Sequence, residues 1–165
     1  MKSKTEKKIL ELSQLEKVLP SLRKEKKTIV TLNGSFDLLH AGHLYIIEEA
    51  AKLGDVLIVA LNSDESIRQY KNPSRPIISL PYRLQMMAAL ECVDFVTFFH
   101  EVDPRNLLSR ICPDIHVNGA EYGSECIEKE IVEKGGGRLH LVKRIDGLST
   151  SAIIEKIVKC VSLEP

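Results

Sequence analysis

Apolar positions along the chain alternate between two textures. Five short runs are almost continuously apolar, rich in β-branched and aromatic residues: 28–33, 55–61, 94–99, 114–117 and 138–142. Each has the length of a strand buried on both faces. Between them, apolar residues recur at three- and four-residue steps, which predicts helices. The first spans 7–27, carrying Ile9, Leu10, Leu12, Leu15, Val18, Leu19 and Leu22, with Pro20 bending or splitting it. A second runs over 44–53 and stops at Gly54. A short helix follows the capping cluster Asn62-Ser63-Asp64, and another covers 82–91 with Pro81 near its first turn. Asp103-Pro104 opens a helix that ends at Ile111 before Pro113. The last two cover about 124–134, stopped by Gly135-Gly136-Gly137, and 149–161. Residues 70–77 hold Pro73 and Pro76 and read as a mobile loop.

Strictly alternating strands and helices demand right-handed parallel crossovers. The expected fold is therefore α/β, a Rossmann-like doubly wound five-stranded parallel sheet with helices on both faces. Residues 1–27 would add an N-terminal amphipathic helical extension to a single domain at 28–165. Its role would be to cover one side of the sheet, and its exposed apolar residues could serve a homodimer.

Composition changes this picture little. The 165 residues are 44% apolar and 28% charged, ordinary for a globular chain. Net charge is zero, which offers no support for nucleic-acid or anionic-membrane binding. Residues 1–27 carry nine Lys and Arg against four Glu, and read as a solvated helix face. The start of the chain is charged with no apolar core of a leader, and no run reaches the ~20 apolar residues of a membrane span. Cys92, Cys112, Cys126 and Cys160 lack paired spacing. A cytoplasmic protein with reduced thiols is the expectation.

Chemistry concentrates in the turn after the first strand, Asn33-Gly34-Ser35-Phe36-Asp37-Leu38-Leu39-His40-Ala41-Gly42-His43. A glycine and a small hydroxyl precede two histidines three residues apart at a helix start. Free backbone N–H groups and the dipole favour an anion there, and Gly34 would let the main chain approach a phosphate. His40 and His43 would share a face and donate to one oxyanion. A half zinc site is the less favoured reading, because no further ligand lies at suitable spacing. Simple helix capping is the other. A second polar cluster, 144–151, places Arg144, Gly147, Ser149, Thr150 and Ser151 at a helix start. Ser149 could be only an N-cap and Arg144 only a surface charge. Both clusters, with 62–64 and 118–122, fall at the C-terminal ends of strands, where doubly wound sheets bind ligands.

These residues also carry a family resemblance. Gly34-Ser35-Phe36-Asp37-Leu38-Leu39-His40-Ala41-Gly42-His43 resembles the GxFDxxHxGH signature of cytidylyltransferase-like nucleotidyltransferases, and 144–151 is similar to their RTxGISTT motif. Within that family the chain looks most like the heptose 1-phosphate adenylyltransferase domain of ADP-heptose synthase. The matching segments are 27–30, 53–60, 62–64, 74–76, 89–94 and 135–136. It departs at Asn118-Gly119-Ala120-Glu121, where relatives commonly have Lys-Gly-Gly-Asp. The two-domain relatives carry a sugar kinase ahead of this region, so a separate protein would supply the sugar phosphate.

The resemblance implies transfer of AMP from ATP to D-glycero-β-D-manno-heptose 1-phosphate, with Mg²⁺ arriving on the nucleotide and no protein metal site. It makes His40, His43, Lys71 and Arg144 catalytic. Without it, Lys71 would read as a surface lysine and Arg83 as a surface helix charge. Nucleotide-binding residues would be Gly34, Ser35, Phe36, Asp37 and Gly42 from the first turn. Asn62, Gly119, Leu148, Ser149 and Thr150 would join them. Asp37, Asp64, Arg83 and Glu121 would contact the acceptor. The rival readings are a CTP-dependent glycerol-3-phosphate or related polyol-phosphate cytidylyltransferase, and a catalytically silent nucleotide-binding subunit.

Overall fold

A computed structural model describes residues 3–123, 125–143, 145 and 147–162. The five apolar runs form one all-parallel sheet: β1 (Ile29–Gly34), β2 (Val56–Asn62), β3 (Phe95–Phe99), β4 (Ile115–Gly119) and β5 (Arg138–Val142), in the order β3-β2-β1-β4-β5. Chain direction reverses its march across the sheet between β1 and β4, which defines the switch point. The helices are α1 (Leu12–Lys24), α2 (Ala41–Ala51), α3 (Asp64–Tyr70), α4 (Leu80–Ala89), α5 (Arg105–Ile111), α6 (Lys129–Lys134) and α7 (Thr150–Val161). Among the described residues no helix is long and apolar enough to cross a membrane.

Strands β1, β2 and β3 feed two cores because their side chains alternate, while β4 and β5 feed one. Val30, Leu32, Leu57, Val59, Leu61 and Val96 pack against Ile47 and Ala50 of α2 and Leu84, Met87 and Ala88 of α4. Ile29, Val56, Ile58 and Ala60 pack against Leu15 and Leu19 of α1, Leu107, Leu108 and Ile111 of α5, and Val132 of α6. The apolar side of α1 thus lies in the core, which removes it as the surface expected to serve a dimer.

Several boundaries depart from expectation. The N-terminal helix is not continuous from residue 7: Glu6–Lys8 form one 3-10 turn, and α1 begins at Leu12. Between them Ile9 bridges Val96 in parallel and the Leu10 N–H donates to the Val96 carbonyl, so this segment lies along the free side of β3. A reciprocal capping box between Glu11 and Gln14 starts α1. Pro20 sits inside α1 without splitting it, because it faces solvent, where the carbonyl it leaves without a donor is open to water. The helix expected over 124–134 begins only at Lys129, after a 3-10 turn at Ala120–Tyr122.

Asp55, Asp94 and Asp114 stand just ahead of their strands rather than within them. Each carboxylate accepts a backbone N–H near the start of a neighbouring strand: Thr28 at 2.8 Å, Leu57 at 2.8 Å and Ile29 at 2.7 Å. The parallel registers pair Ile29 with Val56, Val30 with Ile115, and Ile58 with Phe95. The three aspartates pin these offsets at the end of the sheet away from the polar turns.

His116 of β4 is fully buried, and its Nδ1 lies 2.8 Å from the Thr31 hydroxyl. Burial pushes its pKa down from 6.5 to about 4. The unfolded chain therefore takes up this proton first. Stability from this group is complete above pH 6.5 and declines as pH falls toward 4. Urea unfolding at pH 7 and pH 4.5 should differ by roughly 2 kcal/mol on this account. His116→Gln should remove most of that difference; an unchanged pH dependence would show that other groups set it.

Candidate active site

The strand C-termini frame an open cleft of about 740 Å³, within the range of small-molecule sites. Its floor is the turn from β1 to α2. Gly34 lines the cleft without a positive φ, and a Cβ there would meet the Phe36 ring at 3.1 Å, so the aromatic is one reason for the bare backbone. Phe36 itself is buried at φ +45°, a left-handed conformation that a bulky residue adopts only under constraint. Its ring meets His43 edge-on, with centroids 5.3 Å apart.

His40 is the N-cap of α2, and its Nδ1 accepts the Gly42 N–H at 3.1 Å. That bond places the proton of a neutral ring on Nε2, leaving it as the donor. The rings of His40 and His43 stack with centroids 3.8 Å apart and planes 24° apart, as the one-turn spacing predicts. A Cβ on Gly42 would crowd His40 Nδ1 at 3.0 Å and stand 3.4 Å from the Leu148 Cβ. The last contact matters most: it joins the first polar turn to the one that opens α7, more than 100 residues later.

Ser149 caps α7 by accepting the Ala152 N–H at 3.1 Å. The first amides of α7 have no carbonyl partner within the helix and give the cleft the positive end of its dipole. Leu148, Ser149 and Thr150 line the cleft together with His40 and His43. Arg144 and Asp146 lie outside the described residues.

The other flank is built by the segment after β2. Asn62 lines the cleft, and its Nδ2 donates to the Ser66 hydroxyl at 3.0 Å. The Ser35 hydroxyl lies 2.6 Å from the Tyr70 hydroxyl. Lys71 stands at the rim; loss of solvation lowers its ammonium below the ordinary lysine range, and the charge of Arg75 adds to that.

The loop expected to be mobile is latched. Asp37 accepts Arg75 Nε at 2.6 Å and the N–H groups of Ile77 and Ile78 at 2.8 Å each. Burial works to raise the Asp37 pKa, but these donors outweigh it and hold the carboxyl below its ordinary value. Asp37, expected at the substrates, lines the cleft with both its oxygens occupied by the protein.

Arg83 and Asp64 do not join the described lining of the cleft. Arg83 is 1% exposed and donates to the Ile78 carbonyl, the Ser35 carbonyl and Asp64 Oδ1 at 2.9, 2.7 and 2.6 Å. Its guanidinium ties the first turn to the start of α4, so it acts on the site through the backbone.

At the end of β4 the departure from the family pattern is visible. Asn118 Oδ1 accepts the Gly119 N–H at 3.2 Å, and its Nδ2 lies 3.5 Å from the buried Glu128. The Glu121 carboxylate folds over Gly119, where an added Cβ would meet it. Glu121, Glu125 and Glu128 all line this flank. Among the described residues no group of three or more His, Cys, Asp or Glu could hold a metal. Arg75, Tyr70 and Glu128 are cleft residues to which the sequence assigns no role. The only local sign at Arg75 is a cation fixed between two prolines.

A model of the cytidylyltransferase-like family matches residues 31–156. Among curated proteins, the bifunctional protein HldE of Syntrophotalea carbinolica is 47% identical over 145 residues, 87% of this chain and 30% of the relative. HldE of Pseudomonas savastanoi pv. phaseolicola is 43% identical over 93% of this chain and 32% of the relative. The chain thus spans about a third of the curated relatives it matches. The crystal structure of a lipopolysaccharide core biosynthesis protein from Thermoplasma volcanium superposes with a TM-score of 0.59 at 30% identity, covering 72% of this chain and 97% of that one. Pantoate-β-alanine ligase from Francisella tularensis, at 16% identity and a TM-score of 0.60, shares the fold.

Asp37→Asn leaves Arg75 without its counter-charge and turns two accepted N–H groups against an amide. Urea unfolding should register a loss of roughly 3 kcal/mol, with faster proteolysis within residues 71–79. A loss below about 1 kcal/mol would show that the latch does not hold the loop.

Proposed function

The chain belongs to the cytidylyltransferase-like family, and from that premise we propose that it is an adenylyltransferase. It transfers AMP from ATP to D-glycero-β-D-manno-heptose 1-phosphate and releases pyrophosphate, giving ADP-heptose for lipopolysaccharide core. The observation that carries the reading is the meeting of the stacked His40–His43 pair with the start of α7 in one cleft. Similarity to HldE proteins and to a lipopolysaccharide core biosynthesis protein supports the choice of acceptor.

In this mechanism a phosphate oxygen of the acceptor attacks the α-phosphorus of ATP in line. The bond from that phosphorus to the bridging oxygen breaks, and pyrophosphate leaves with the electron pair. Negative charge grows on the α-phosphoryl and bridging oxygens, where His40 and His43 donate hydrogen bonds. The dipole and amides of α7, with Ser149 and Thr150, hold the β- and γ-phosphates, and Arg144 completes that clamp. Lys71 closes from its loop over the reacting phosphates, where the acceptor's phosphate meets the α-phosphate.

Magnesium takes hard oxygen ligands, and the cleft lacks a described carboxylate cage. The ion would be carried by the triphosphate, lowering its charge. Catalysis by the chain's own residues is then positioning and charge stabilisation, with no covalent intermediate. The protein acts in the cytoplasm. Self-association would use the exposed Ile157, Val158 and Val161 of α7 rather than α1.

Pyrophosphate release, measured with ATP and CTP crossed against heptose 1-phosphate and glycerol 3-phosphate, should be fastest for ATP with the heptose. Faster release with CTP and glycerol 3-phosphate would replace this assignment, and binding without release would mark a silent subunit. His43→Ala should lower kcat on the order of 10²–10³-fold with the melting temperature preserved. A change below about threefold would take this histidine out of the mechanism.

A further inference from the structure

The sheet order divides the cleft into two poles. The start of α7, after β5, lies to one side of the histidine turn, and the arm carrying Lys71 and Arg75, after β2, lies to the other. Nucleotidyl transfer brings two phosphate-bearing substrates to that turn from different directions. The α7 pole suits the triphosphate, which leaves the second cationic pole for the other substrate.

Arg75 is built as a fixed donor in that pole. Its side chain is 13% exposed, and its Nε is locked to Asp37, 1% exposed, at 2.6 Å. Its Nη2 is buried and has no hydrogen-bond partner among the described residues. A buried, unmet donor of a charged group is costly, and it persists where a ligand completes it. Asp37 cannot meet it, because both carboxylate oxygens are already occupied by Arg75 Nε, Ile77 and Ile78. Nor can one carboxylate balance two cations. Lys71 and Arg75 against Asp37 leave the pole with a net charge of about +1.

We propose that Arg75 is a specificity-determining residue whose Nη2 donates to the phosphate monoester of the acceptor, with Lys71 as its partner cation. The inference rests on the nucleotidyl-transfer reading and adds to it the group that recognises the acceptor. A phosphate carrying close to two negative charges satisfies the unmet donor and the excess charge together. An unphosphorylated sugar does neither and is excluded. The latch gives the contact its precision, because Asp37 holds Nε and fixes the guanidinium plane while making no hydrogen bond to Nη2.

Steady-state kinetics on the full chain test this with ATP and heptose 1-phosphate varied separately. Arg75→Gln should raise KM for the sugar phosphate roughly 30- to 100-fold while KM for ATP stays within about threefold. Arg75→Lys keeps the charge and the Asp37 pairing but not the second donor edge, and should raise the acceptor KM about tenfold. A rise confined to KM for ATP, or an acceptor KM moving less than about threefold in both variants, would overturn the assignment. If Arg75→Gln does not fold, the lysine variant decides. Wild type that turns over with variants unaffected sinks this inference alone; wild type without turnover sinks the transfer reading. In that second case, calorimetric binding of heptose 1-phosphate without nucleotide still reads the contact, and equal affinity in wild type and Arg75→Lys would refute it.

Discussion

One buried carboxylate holds the candidate site together. Asp37 belongs to the turn that carries the histidines, yet its oxygens are taken by the arm that carries Lys71 and Arg75. The cost of burying it is offset by two backbone N–H groups and a guanidinium, which is why the acid stays ionised. The same contact performs two tasks. It fixes a long loop at a defined distance from the histidine turn, and it orients Arg75, whose buried Nη2 has no hydrogen-bond partner among the described residues. Arg83 reinforces this from beneath, gripping the backbone of both segments. The floor and one wall of the cleft therefore move as a unit.

Most of the fold was legible because the sheet is buried on both faces. Such strands read as unbroken apolar runs, and five of them alternating with helical periodicity admit few topologies. The stacked histidines were also legible, since helical spacing alone puts His40 and His43 together. The failures have separate physical causes. Pro20 obeys a rule about lost hydrogen bonds that matters less on a solvated face. The loop at 70–77 has the composition of a mobile segment, and what orders it is a carboxylate some forty residues earlier. Asp64 and Arg83 were expected to contact the acceptor, whereas in the fold they pair with each other at 2.6 Å.

Arg75 illustrates a different limit. A sequence reveals that an arginine is present and that prolines restrain it. It does not reveal which of its nitrogens will lack an acceptor, because that is decided by how Asp37, distant in sequence, takes up Nε. The departure at Asn118–Glu121 is intermediate. Loss of a lysine was evident from the residues, but the approach of the buried Glu128 to within 3.5 Å of Asn118 required the fold.

The segment around Ile9 and Leu10 has a bearing beyond its own few bonds. It lies along the outer margin of β3, where an unprotected strand would present a row of unsatisfied amides and carbonyls. Lys8 strengthens the seal by donating to the Leu90 and Val93 carbonyls. A chain trimmed to begin at β1 would lose this cover along with the α1 side of its core. Such a fragment would be an adhesive sheet margin, recruiting strands from its neighbours, and the leading residues are best understood as the guard against that fate.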